Sequence, residues 1–262
     1  MSRDPSELNS QAVEREREFF DTLVEAEEDF NPFTDRGWQV LTRRFEQMVP
    51  LAGPVRMLDV GCGTGQSRQI YRLAGLEYVG VDLSSVALER ARAKYPQDTW
   101  QCADASALPF DDASFDLVAF SSVLHHIPDF RRPLEEACRV LRPGGHVFAF
   151  DPNLLHPAMA LFRHPRSPLY RPEGVSPNER PLLPSRLARA LRTAGFCEIR
   201  QRCQAAIPYR AVAPRLLNSL LRVYNFADLL LHLSGLGRWL GTFIVTSGVK
   251  PTESRSGARP AC

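Results

Sequence analysis

The sequence predicts an α/β domain in which a mostly parallel sheet carries helices on both faces. Residues 55–60 (VRMLDV) form an apolar run that leads straight into three alternating glycines, Gly61, Gly63 and Gly65. A buried parallel strand reads as such a run, and glycines at its carboxyl end let the backbone turn tightly and approach a ligand closely. From residue 55 to about 151, strand-like stretches then alternate with helical ones, the pattern of a sheet whose strands are joined by crossover helices. Right-handed crossovers put every strand carboxyl end on one edge, where ligands bind in this architecture.

Residues 11–30 carry Val13, Phe19, Phe20, Leu23 and Val24 at helical spacing among Glu and Arg, which predicts an amphipathic leading helix. A second helix is predicted over 36–48, with Trp38, Leu41 and Phe45, before Pro50, Gly53 and Pro54 interrupt the chain. Residues 1–50 thus read as an N-terminal helical cap and 51–249 as the main domain. Strands are expected at 55–60, 77–82, 98–102, 115–121 and 146–151, and helices near 65–74, 84–94 and 131–141. Pro143-Gly144-Gly145 reads as a tight turn before the fifth strand. Residues 152–184 hold eight prolines and few periodic apolar positions, so they predict a long excursion or lid that leaves from the ligand-binding edge. A helix at 184–194, a strand at 196–203, a leucine-rich amphipathic insertion at 213–236 and a strand at 241–249 follow, and 250–262 is expected to be disordered.

At 262 residues, 44% hydrophobic and 24% charged, the chain can bury a full core without disulfides or metals. A net charge of +2 with no dense basic stripe makes nucleic acid a poor partner. The six cysteines show no CxxC pair, which argues against zinc and against a disulfide framework, so no metal is expected. The charged amino terminus lacks an apolar signal core, and the expectation is a cytoplasmic protein.

The glycine turn alone fits several nucleotide-like cofactors. Its Gly61-x-Gly63-x-Gly65 spacing places Gln66 where a dinucleotide fingerprint wants its third glycine, and no P-loop lysine follows. Tyr78-Val79-Gly80-Val81-Asp82 ends a second apolar strand in a carboxylate. That position suits a ribose, although an N-cap for the next helix would use the same residue.

Taken together, Val60-Gly61-Cys62-Gly63-Thr64-Gly65, Gly80-Val81-Asp82-Leu83-Ser84, Ala103-Asp104-Ala105 with Leu108-Pro109-Phe110, Phe115-Asp116-Leu117-Val118, Leu124-His125-His126-Ile127-Pro128-Asp129 and Arg139-Val140-Leu141-Arg142-Pro143-Gly144-Gly145 resemble class I S-adenosylmethionine-dependent methyltransferases. The resemblance spans roughly 55–151. It implies a Rossmann-like three-layer sandwich whose seven-stranded, doubly wound sheet has an antiparallel last strand, and it implies S-adenosyl-L-methionine as cofactor. By the same resemblance, Asp59 and the turn Gly61, Cys62, Gly63 and Gly65 meet the methionine part, Asp82 the ribose hydroxyls, and Leu83 the adenine. Asp104 and Ala105 would line the adenine pocket, and Ser121 would lie near the sulfonium.

His125 and His126 form a tempting catalytic pair, since a histidine near neutral pKa can take a proton from an acceptor as the methyl group arrives. Structural or cofactor packing is the favoured account of them, and a dedicated base is optional because positioning alone can supply much of the acceleration. Asp151, at the fifth strand end, either binds an acceptor or caps the following loop. The expected acceptor is a small molecule, lipid precursor or glycan presenting oxygen or nitrogen. Segment 213–236 can pack on the core, cover an apolar acceptor pocket or touch a membrane carrying a lipid-linked acceptor. A catalytically inactive cofactor-binding protein acting through partners is the alternative reading.

Overall fold

The computed structural model describes residues 5–26, 31–170, 172, 175–211 and 215–252. Its sheet has seven strands in the order β3-β2-β1-β4-β5-β7-β6. These are β1 (Val55–Val60), β2 (Leu76–Asp82), β3 (Thr99–Cys102), β4 (Phe115–Ser121), β5 (Leu141–Pro152), β6 (Cys197–Gln204) and β7 (Phe243–Val249). β1 pairs in parallel with β2 and β4, β2 with β3, and β4 with β5, whereas β7 runs antiparallel to both β5 and β6. Strand order reverses between β1 and β4, so the crevice that such sheets offer to ligands opens beyond Val60 and Ser121.

Strand residues alternate between two buried clusters, as the pleat requires. Met57, Leu117, Ala119, Phe148 and Phe150 join one, and Leu58, Val60, Val118, Phe120, Val147 and Ala149 the other. Helices α2 (Asp35–Met48) and α3 (Ser85–Lys94) cover the first face, while α4 (Arg131–Val140) and α6 (Pro184–Thr193) cover the second. Thr34 caps α2 by accepting the Gly37 N–H, and Trp38, Leu41 and Phe45 then enter the first cluster. The second predicted helix is therefore one of the sheet's packing layers as well as a neighbour of the site. α1 (Pro5–Ala26) ties its Asp21 carboxylate to the Ser84 hydroxyl ahead of α3.

Several elements differ from the sequence reading. The helix expected at 65–74 is a five-residue 3-10 turn, Gln66–Ile70. Gly65, in the left-handed region, offers no side-chain cap, and Ser67 turns inward to bond Asp59. Pro143-Gly144-Gly145 lies inside the twelve-residue β5. Gly144 N–H donates to Lys250 O and Lys250 N–H donates to Gly145 O, both at 2.8 Å, so the ladder continues through the glycines.

The 152–184 excursion contains α5 (Pro157–Phe162), and its root is fixed by buried Asn153, which donates to Gly241 O at 2.8 Å and Trp239 O at 3.1 Å. Segment 213–236 divides into a 3-10 turn (Arg215–Leu220) and α7 (Leu221–Leu233), followed by α8 (Gly237–Leu240). Its inner face is Leu221, Tyr224 and Asp228, whereas Leu220 and Leu230 are exposed. Most of the expected disordered tail, from 253 onward, lies outside the described residues.

Candidate active site

The β1 turn is built around conformations that side chains disfavour. Gly61 has φ +71°, and a Cβ there would sit 2.2 Å from Val123 Cγ2; Gly63 has φ +52°, and a Cβ there would meet only open space. The first glycine permits close packing and the second leaves room above the turn. Asp82, at the end of β2, holds this turn in place. Its Oδ2 accepts the Gly63 N–H at 2.8 Å and its Oδ1 accepts the Ser84 N–H at 2.9 Å. Capping of α3 falls to Ser84, whose hydroxyl accepts the Ala87 N–H. Asp82 is thereby spared the cap role, and each of its oxygens keeps acceptor capacity. Burial raises its pKa, against the pull of the backbone N–H groups of Ser84, Gly63 and Leu83.

Asp59 is placed differently from its reading as a cofactor contact. It is fully buried behind the turn, outside the chamber lining, where it accepts hydrogen bonds from Ser67 Oγ (2.7 Å), Tyr78 OH (2.7 Å) and Ser121 Oγ (2.9 Å). Burial pushes its carboxyl up to about 6 despite those donors. Ser121 also bonds Tyr71 OH at 2.6 Å, so Asp59 braces the ends of β1 and β4 through one hydroxyl network.

Gly61, Cys62, Gly63, Asp82, Leu83, Ala105, Ser121, His125 and His126 are brought together around one chamber, with a volume of about 510 Å³. Gly65, Asp104 and Asp151 are not among its lining residues. Gly65 packs toward Trp100 and Tyr95. Asp104 is exposed and its Oδ1 accepts the Ser106 N–H at 2.8 Å, an ordinary loop-forming bond. Asp151 is completely buried behind His125.

Two histidine–carboxylate pairs meet at this wall, their imidazole centroids 3.9 Å apart. In the inner pair, His125 Nδ1 lies 2.9 Å from Asp151 Oδ1, which also accepts the His125 N–H at 3.0 Å, while Asp151 Oδ2 is buried without a partner. Burial lowers His125 to about 4 and raises Asp151 to about 8, so both are uncharged near neutral pH. In the outer pair, His126 Nδ1 lies 2.8 Å from Glu16 Oε1 and 2.8 Å from Ser176 Oγ. Ser176 also donates to Glu16, and the Asn178 N–H reaches Glu16 Oε2 at 3.1 Å. Burial opposes ionisation of Glu16, but bonds from His126, Ser176 and Asn178 outweigh it and hold the carboxyl below its usual range. Burial likewise lowers His126 despite the Glu16 bond, keeping its imidazole neutral. Glu16 escaped the sequence reading because it belongs to the leading helix. Its signal was a carboxylate on the apolar stripe of Val13, Phe20 and Leu23.

The inner pair has a consequence for stability. Unfolded histidines release their protons around their ordinary value of about 6.5. The raised Asp151, by contrast, keeps an extra proton in the folded chain up to about 8, so the stability that Asp151 itself contributes falls as pH rises toward 8. The wild-type melting temperature, measured relative to that of Asp151→Asn, is therefore expected to fall between pH 6.5 and about 8. Calorimetric melts across this interval check the difference in slope.

Beyond the histidines the chamber becomes apolar, walled by Phe20, Phe33, Phe162, Tyr209, Tyr224 and Phe243. Glu16, Arg17, Arg163, Asn178 and Glu179 supply polar points around it. Among the described residues, no group of three or more His, Cys, Asp or Glu side chains could hold a metal ion.

Residues 58–149 match a family model described as a methyltransferase domain. A demethylmenaquinone methyltransferase of Clavibacter sepedonicus is 31% identical over 230 residues, covering 87% of this chain and 85% of that protein. A 27-O-demethylrifamycin SV methyltransferase of Amycolatopsis mediterranei is 40% identical over 129 residues, but the match covers only 46% of each chain. In structure, a phosphoethanolamine N-methyltransferase 2 from Haemonchus contortus, solved with S-adenosyl-L-methionine, aligns with a TM-score of 0.62 at 20% identity over 90% of this chain and 60% of that one, a likeness of fold. With a curated relative matched along nearly its whole length and the methyltransferase model lying across the β1–β5 core, the chain belongs to the class I S-adenosylmethionine-dependent methyltransferases.

Proposed function

We propose that the chain methylates a hydroxyl oxygen of an apolar, ring-bearing small molecule. One observation carries this reading: a single chamber of about 510 Å³ joins the glycine turn to a pocket of aromatic side chains. The space fits a small organic ligand. A glycan would leave many hydroxyls unpaired against Phe33, Tyr209 and Phe243. Among the relatives, the rifamycin enzyme is named for an O-demethyl compound, and two fungal proteins are named O-methyltransferases.

The residues present fit the donor. The open space over Gly63 would receive its methionine part beside Cys62 and Ser121, Asp82 would accept from the ribose hydroxyls, and Leu83 and Ala105 would flank the adenine. When bound, the donor supplies a methyl group on a positively charged sulfonium. Asp104, exposed and engaged with Ser106, has no part in this assignment.

At the acceptor end, Glu16 holds His126 through Nδ1 and leaves the Nε2 lone pair to take the hydroxyl proton. The neutral His125–Asp151 pair packs behind it and fixes the ring's position without placing a second charge there. Phe20, edge-on to His126 at 5.1 Å, and the aromatic wall exclude water from the acceptor. Turnover with hydroxyl-bearing acceptors matched in size tests the reading. Apolar aromatic acceptors should show kcat/KM at least about tenfold above polyhydroxylated ones; the reverse order rejects it.

A further inference from the structure

We infer that the outer face of α7 and α8, together with α5, is a docking surface for an anionic lipid membrane, seated at the mouth of the acceptor pocket. α7 carries two apolar faces. Its inner face is spent on the core through Leu221 and Tyr224. A second stripe, Leu220, Val223, Phe226, Leu230 and Leu233, recurs every three or four residues and faces away, between 49% and 71% exposed. Leu236 and Trp239 continue it at 48% and 52% exposure, and α5, which has no buried residue, adds Leu161 and Phe162. An exposed apolar surface this extended marks an interaction site.

Charge selects the occupant. In segments 152–184 and 205–241, which contain no lysine, Arg166, Arg180, Arg210, Arg222 and Arg238 are exposed and Asp228 is buried, whereas the rest of the chain is net acidic. Arg222 is exposed beside the stripe, and the Arg238 guanidinium lies 3.8 Å from the centroid of the Trp239 ring, a pairing of cation and aromatic suited to a headgroup boundary. A second copy docked face to face would set these arginines against their own counterparts, which like charges oppose. An anionic bilayer satisfies both the apolar stripe and its basic surround. Among the described residues, no helix is long and apolar enough to cross a membrane, so the contact lies in the interfacial plane. Phe162 and Leu220 are exposed on this face and also line the chamber. An apolar acceptor dissolved in lipid can therefore enter without crossing water.

Binding to the surface stands apart from the acceptor reading, and the test separates the two. The full chain is sedimented with vesicles of phosphatidylcholine alone and of phosphatidylcholine with an equal share of phosphatidylglycerol. Partition into the anionic vesicles should exceed that into neutral ones, weaken with added salt, and drop by more than about tenfold in the triple variant Val223→Asp, Phe226→Asp, Leu233→Asp. That variant should bind S-adenosylmethionine in calorimetry as the wild type does, because none of its substituted residues lines the chamber. Arg222→Gln with Arg238→Gln should remove much of the preference for anionic vesicles while leaving the apolar stripe intact. Equal partition into both vesicle types, a wild type that stays in the supernatant, or a soluble dimer dissociated by Phe226→Asp would each overturn the proposal.

Discussion

Asp82→Asn is expected to weaken binding of S-adenosylmethionine and S-adenosylhomocysteine by about a hundredfold or more, the loss of two charge-assisted hydrogen bonds at roughly 1.5–3 kcal/mol each. The carboxylate is suited to such bonds because each of its oxygens already takes one backbone N–H, from Gly63 and from Ser84, and keeps a lone pair for the ligand. Those backbone bonds also shape the turn, so part of the effect comes through Gly63. Titration calorimetry on Asp82→Asn, beside a melting curve showing that the domain remains folded, separates lost contact from lost fold. Unchanged affinity for S-adenosylhomocysteine would remove Asp82 from the donor site.

His126→Ala is expected to lower kcat by about a hundredfold to ten-thousandfold while leaving affinity for S-adenosylhomocysteine within a factor of about two, the range for removing a positioned general base. Glu16→Gln should cost less, about tenfold, because the imidazole remains and only its orientation is loosened. The pH profile distinguishes this positioning role from a structural one. The Glu16 bond raises His126 against the larger lowering by burial, so its removal should move the acidic limb of kcat to lower pH even as the plateau falls. A plateau that falls with no movement of that limb would assign Glu16 to packing alone.

Much of the fold was legible because its signals are local. β1 and β4 fall on the predicted residues, and Gly61 and Asp82 stand at the ends of apolar runs whose burial on both faces leaves few alternatives. What escaped depends on contacts distant in sequence. Asp59 reads by resemblance as a contact of the cofactor's methionine part, and only the convergence of Ser67, Tyr78 and Ser121 makes it an internal brace. Glu16 meets Ser176 across 160 positions, a pairing that helical periodicity cannot announce. For α7 the failure was of another kind: both faces are apolar, so periodicity located the helix but could not tell which stripe packs inward.

The central claim is that the aromatic end of the chamber presents an acceptor hydroxyl to the donor held over Gly63. Turnover with cofactor carrying a carbon-13 methyl, followed by NMR of the product, reads the methylated atom directly. The account predicts a methoxy carbon on an apolar product, with the signal lost in Asp82→Asn and strongly reduced in His126→Ala. A labelled methyl bound to nitrogen or carbon, or a product formed equally well by His126→Ala, would contradict it.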